Sequence, residues 1–274
     1  MAEVPFYNQN VLDAFKKEIQ YEKRLKSLPE DKFVLVDWKS TLNQFTDSEG
    51  VTWLSTRMST FEAHLYGRLS ATLKSDLGTI KVVVHSIQEG QKSAIEFALR
   101  EAATTSMSYV DMKYYDSCFS DFCLVGTNPR VVDYTMFIFG NIFVQLDFYN
   151  EYNKDLLPVA RYIQSVMEEA VADNPEKKLP GRPQFNYTVN QTKIKSKSSF
   201  TLTVGPGVGY SRELWDFGVA EELMNSEHIE YDEELGSDVY KFSAKKSGQG
   251  TIAFSLMDRK TLHIFSDTIT VDIE

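Results

Sequence analysis

The feature that most constrains this chain is a change of pattern near residue 173. Before it, apolar residues recur in some segments at helical spacing and in others as β-branched runs. After "DNPEKKLPGRPQ", 173–184, they fall only into short alternating runs such as "FTLTVG", "VYKFSAKKSG" and "SDTITVDI". The stretch itself concentrates Pro, Gly and charge, the composition of a linker. The sequence is therefore read as an α+β domain over 1–173, a linker over 174–183 and an all-β sandwich over 184–274.

Within the first part, Asn10 precedes Val11, Leu12, Phe15, Ile19 and Leu25, which predicts a helix over about 11–27 closed by Pro29. "FVLVDW", 33–38, and "VTWLST", 51–56, read as strands, and Phe61, Leu65, Leu69 and Leu73 read as one face of a helix capped by Ser59 over 59–75. "TIKVVVHSI", 79–87, is β-branched enough for a central strand, and 91–105 has helix formers at helical spacing. Gly140-Asn141, between two β-rich runs, predicts a two-residue hairpin turn. Asp155 is expected to cap a closing helix that tolerates Pro158 in its first turn. The sum is an antiparallel-rich sheet with packed helices.

Charge narrows the partners. The net charge is −10 and is divided about evenly between the two parts. An acidic surface on both disfavours nucleic-acid backbones and anionic membranes, which need basic patches. The one basic cluster, "KIKSKSS", 193–199, alternates like the solvent face of a strand. No apolar run approaches the ~20 residues of a membrane span, and "MAEVPFYNQN" lacks the basic head and apolar core of a secretory signal. Cys118 and Cys123 are spaced C-x4-C, which fits two buried thiols or a bridge across a tight bend, whereas a metal site wants further ligands nearby.

Catalytic signals are sparse. His64, His85, His228 and His263 form no pair at the spacing of a helical metal site, and no phosphate loop, dinucleotide fingerprint or nucleophile elbow occurs. His85 beside Cys118 or Cys123 is the one thiol–imidazole pairing to consider, and a structural His with an ordinary Cys is the simpler reading. Adjacent acids such as Glu233-Glu234 read as solvated faces. No cofactor is expected.

The most suggestive stretch is "VGPGVGYSRELW", 204–215, which follows a strand and ends near a tryptophan. Its glycines open backbone conformations closed to other residues, and loops at the end of a sandwich are where a binding module keeps its contacts. Pro206, Gly209, Tyr210 and Trp215 here, and Phe242, Ala244, Gly248 and Ile252 in the later strand pair, carry a resemblance. Residues 184–274 resemble the chagasin-type cysteine-protease inhibitors. Gly207-Val208 stands where that family has two threonines, and Arg259-Lys260-Thr261 where it has R-P-W. The resemblance implies an immunoglobulin-like sandwich laying three loops, 205–210, 233–237 and 258–263, into the cleft of a papain-like protease. It implies Gly205, Pro206, Gly207, Val208, Gly209, Tyr210, Trp215, Leu235, Gly236, Arg259 and Lys260 as contact residues.

A non-catalytic protein-binding protein is thus the leading expectation, in an extracytoplasmic setting that suits a small immunoglobulin-like module and a close cysteine pair. An enzyme in the first part, with His85, Asp111, Cys118 and Cys123 as its first suspects, is the alternative. A structural envelope protein is the third.

Overall fold

The computed structural model of the chain describes residues 9–18, 20–26, 32–63, 66–108, 112–115, 120–126, 132–148, 155–172, 186–190, 193–205, 218–219, 222–232 and 237–274. Its α-carbons cluster into two compact units, Met1–Phe61 with Leu65–Pro180 and Lys260–His263, and Glu62–His64 with Gly181–Arg259 and Ile264–Glu274. The molecule is β-rich, with a few helices.

The first unit contains α1 (Gln9–Glu18), α2 (Tyr21–Lys26), α3 (Trp38–Asn43), β1 (Gln44–Thr46), β2 (Thr52–Ala63, its last two residues counted with the second unit), β3 (Tyr66–Ser75), β4 (Gly78–Ile87), α4 (Gln91–Ser108), β5 (Met112–Tyr114), β6 (Phe122–Gly126), β7 (Tyr134–Phe139), β8 (Ile142–Phe148) and α5 (Leu157–Ala172). Its strands form one eight-stranded sheet in the order β1-β2-β3-β4-β8-β7-β6-β5. β4 and β7 are buried on both faces, as a β-branched or aromatic strand in a covered sheet should be. On one face Ala94, Ile95, Ala98, Leu99 and Ala102 of α4 pack with Leu124, Met136, Ile138 and Phe143, and Leu12 and Phe15 of α1 join that core.

The hairpin between β7 and β8 turns at Gly140, whose φ of 57° is left-handed. A Cβ there would lie 2.5 Å from the Lys32 carbonyl oxygen, so glycine is demanded by sterics as well as by φ. Asn141 is fully buried. Its Oδ1 accepts the Val34 N–H at 2.6 Å, its Nδ2 donates to Ser86 Oγ at 3.4 Å, and its carbonyl accepts the Ile87 N–H at 2.9 Å. Beside it, Asp121 Oδ2 accepts from the Gly140 N–H at 2.8 Å and from Gln91 Nε2 at 2.7 Å.

Three expectations are corrected here. The segment 59–75 is not a helix; it supplies the end of β2 and the whole of β3. Phe61, Leu65, Leu69 and Leu73 recur every four residues, a spacing compatible with both periods, and the buried Gly67 and Ala71 between them settle it for the strand. The segment 33–38 alternates in burial, with Val34, Val36 and Trp38 inside, yet joins no sheet. Its Val34 N–H goes to Asn141 instead, and Asp37 caps α3 by accepting the Ser40 N–H at 3.1 Å. The helix expected over 11–27 breaks at Gln20, where φ is 52°, into α1 and α2. At the other end Asp155 accepts the Leu157 N–H at 3.0 Å, the cap read from the sequence.

The second unit contains β9 (Asn186–Val189), β10 (Lys193–Ile194), β11 (Ser199–Gly205), β12 (Gly218–Val219), β13 (Met224–Asp232), β14 (Ser237–Ala244), β15 (Gly248–Met257) and β16 (Ile264–Ile273). They make two four-stranded sheets, β13-β14-β11-β9 and β10-β16-β15-β12. Their pairings are antiparallel except β10 with β16, which is parallel. Phe200, Leu202, Phe242 and Ala244 of one sheet share a core with Ile194, Ile252, Ile269, Val271 and Ile273 of the other, so the sheets stack as a sandwich. Lys193 is exposed and Ile194 buried, as the alternation in "KIKSKSS" requires, although the strand is short. Among the described residues no helix is long and apolar enough to cross a membrane.

Candidate functional site

The strand registers of the second unit determine where its connections gather. In the first sheet Val204 pairs with Asp238, Gly205 with Asn186 and Asp232 with Ser237, so β11 ends at the same edge as the connection 233–236. In the second sheet Gly218 pairs with Ala253 and Met257 with Ile264. Because β12 runs antiparallel to β15, the chain enters β12 from the side on which β15 turns into β16. The connection 206–217 leaves one sheet and enters the other, and it joins the edge carrying 233–236 to the edge carrying 258–263. The described strand ends that flank 206–217, 233–236 and 258–263 therefore lie at one end of the sandwich, with Lys260–His263 counted with the first unit.

Of the contact residues expected from sequence, Gly205 closes β11. Pro206, Gly207, Val208, Gly209, Tyr210, Trp215, Leu235 and Gly236 lie outside the described residues. Arg259 is half-buried and Lys260 exposed, in the connection between β15 and β16. Lys260–His263 are counted with the first unit, where the Lys260 carbonyl accepts the Trp38 N–H at 3.0 Å and the His263 ring meets Phe33 edge-on at 5.3 Å.

One polar group at this end was not anticipated. Asp238, second residue of β14 and nearly buried, lies 3.0 Å from His228 Nε2, and the His228 ring is 5.0 Å from that of Tyr240. Burial, helped by the Asp238 charge, pushes the Tyr240 hydroxyl up to about 12. The sequence distance between His228 and Asp238 hides the pairing, because it passes through a strand reversal and a bulge between His228 and Glu230.

Of the residues suspected of catalysis, the two that are described, His85 and Cys123, do not converge. His85 on β4 is 5% exposed, and its ring lies 4.9 Å from those of Tyr66 and Phe97 and 5.3 Å from that of Phe143. Burial, with the Arg68 charge second, drives its pKa down to about 3, so the ring is neutral at pH 7. Cys123 is buried on β6 between Phe122 and Leu124, whose side chains belong to the core that contains Phe143. Side chains alternate along a strand, so Cys123 faces the opposite side of the sheet from His85 and its aromatic neighbours. Its sulfur is 3.6 Å from Thr135 Oγ1. A His85–Cys123 pair is excluded by this geometry. Asp111 and Cys118 lie outside the described residues. Among the described residues no cluster of three or more His, Cys, Asp or Glu is arranged to hold a metal ion. An open groove of about 630 Å3 runs between the turn before β2 and the turn after β3, lined by Thr52, Leu54, Thr56, Lys74, Asp76 and Leu77 among others.

No family model and no curated protein matches the chain. Among solved structures, the Escherichia coli adhesin FdeC aligns over 91% of this chain and 89% of that one, at 7% identity and a TM-score of 0.25. So low a score leaves fold and function to be argued from the chain itself.

Proposed function

We propose that this chain is a non-catalytic protein-binding protein whose contacts lie at one end of an immunoglobulin-like sandwich. The observation that supports the reading is that the described strands flanking 206–217, 233–236 and 258–263 end at one side of the sandwich. The strand order supports the finer fold name. Taking β9, β11, β12, β13, β14, β15 and β16 as A to G gives A-B-E-D in one sheet and C-F-G in the other, the arrangement of constant-type immunoglobulin domains. On this reading 1–173 and 184–274 are separate domains joined by 174–183.

A rigid sandwich with a glycine-rich connection at its end suits insertion into a concave protein surface, where one aromatic anchor among near-neutral contacts carries much of the binding energy. Tyr210 and Trp215 are the anchors, Gly205, Gly207 and Gly209 let the backbone approach, and Leu235, Gly236, Arg259 and Lys260 flank them. A papain-like cysteine protease is the partner implied by the sequence resemblance, and an extracytoplasmic location fits such a module. Titration of the full chain against a papain-like protease tests the partner. Tight inhibition by the wild type, weakened at least tenfold in a folded Gly207→Asp, Tyr210→Ala double variant, is the expected result; equal, negligible inhibition by both removes the protease from consideration.

A further inference from the structure

β2 forms an uncovered edge of the eight-stranded sheet. β1 pairs with it only from Thr52 to Leu54, after which α3 occupies the preceding sequence, and β3 lies on its other side. Among the described residues no strand covers the outer edge over 55–61. Asp47 donates its N–H to the Val51 carbonyl, which makes 47 and 51 a hydrogen-bonded pair of the β1–β2 hairpin. Pairs alternate in type along an antiparallel ladder, so Ser55, Arg57, Ser59 and Phe61 direct their N–H and C=O groups outward at this edge. Phe61 is 58% exposed and Leu54 51%, two of the largest apolar side chains left to solvent.

Four of the other described edge strands are protected in recognisable ways, while β9 and the stretches of β15 and β16 beyond their short partners β12 and β10 also lack a described neighbour. β5 is three residues long, β10 and β12 two each, and β13 carries a bulge together with Glu227 and Glu230. Residues 55–61, "STRMSTF", contain no Pro, Gly or Lys and a single charge, Arg57. On a chain of net charge −10 this edge carries no acidic side chain, so pairing it with itself sets no carboxylates against each other.

We propose that β2 pairs antiparallel with β2 of a second copy about a two-fold axis normal to the sheet, joining two eight-stranded sheets into one. The dyad must pass through a pair of like residues, because adjacent pairs in an antiparallel ladder differ in hydrogen bonding. A dyad through Met58 sets Thr56 opposite Thr60 and Arg57 opposite Ser59 of the second copy. A dyad through Ser59 sets Arg57 opposite Phe61 and Met58 opposite Thr60. The first brings Thr together with Thr, a pair type that stabilises sheets, and neither sets like charges face to face. A C2 contact of this kind closes on itself and stops at the dimer.

Sedimentation equilibrium of the full chain from about 1 to 200 μM reads the association directly. A monomer–dimer equilibrium is expected, weakened tenfold or more by Ser59→Lys, which meets Arg57 under one dyad and the second lysine under the other. Ser59→Asp separates the two: tighter association marks the dyad through Met58, weaker association the dyad through Ser59. A monomer throughout the range, or a dimer indifferent to both changes at this exposed position, overturns the proposal; a monomer that captured a foreign extended peptide at this edge would assign the edge to another occupant.

Discussion

The side-chain oxygen of Asn141 accepts the backbone N–H of Val34 at 2.6 Å, across 107 residues of sequence and in a fully buried setting. One amide thereby supplies what a neighbouring strand would otherwise supply, which is why 32–37 is extended and alternating in burial without belonging to a sheet. Asn141→Leu keeps the volume and removes the acceptor. It should cost about 2–3 kcal/mol of stability, the penalty of leaving a buried N–H without a partner, read as a lowered urea midpoint at unchanged slope.

His85 makes the fold sensitive to acid. Its folded pKa, about 3, lies below the ordinary value of 6.5, so its contribution is complete above pH 6.5 and is lost as pH falls from there toward 3. The loss is at most about 1.4 kcal/mol per pH unit in that window. Glu101, whose carboxyl burial raises despite the nearby Arg68 charge, works in the opposite sense. His85→Phe, which suits the ring cluster of Tyr66, Phe97 and Phe143, retains the Glu101 contribution and should show a shallower fall in stability between pH 6 and pH 3.5. Parallel curves for the two proteins would contradict the burial of a neutral ring.

Asp47 organises the turn ahead of β2. Its Oδ1 accepts the N–H groups of Glu49 at 2.9 Å and Val51 at 3.0 Å, and its Oδ2 accepts the Trp53 indole N–H at 2.9 Å. Asp47→Ala leaves a buried indole donor without its acceptor and should cost about 2–4 kcal/mol, with a red shift of tryptophan emission. Asp47→Asn, which retains acceptor oxygen, should cost less.

What was legible in the sequence was local. The cap at Asp155, the turn at Gly140-Asn141 and the span of α4 follow from chemistry within a few residues. The misread hairpin of β2 and β3 shows the limit, since a four-residue recurrence satisfies two periods and only Gly67 and Ala71, weak hydrophobic markers, distinguish them. The opposite facing of His85 and Cys123 was beyond reach, because parity along each strand is readable but the order β4-β8-β7-β6 that relates them is not. In the second unit the alternating runs were recognised as strands. That the strands flanking three connections end at one side required the registers, and the His228–Asp238 contact required the bulge as well.

The link between Val34 and Asn141 also sets a timetable. During synthesis at roughly 5–20 residues per second, the 107 residues between them take about 5–20 s to emerge. Until then the Val34 N–H lacks its acceptor, the Trp38 N–H waits longer still for the Lys260 carbonyl, and the apolar side chains of Val34, Val36 and Trp38 remain available to chaperones or to other nascent chains. The β2–β3–β4 meander needs only near neighbours in sequence and is free to form earlier. A segment made early is therefore among the last to find its place.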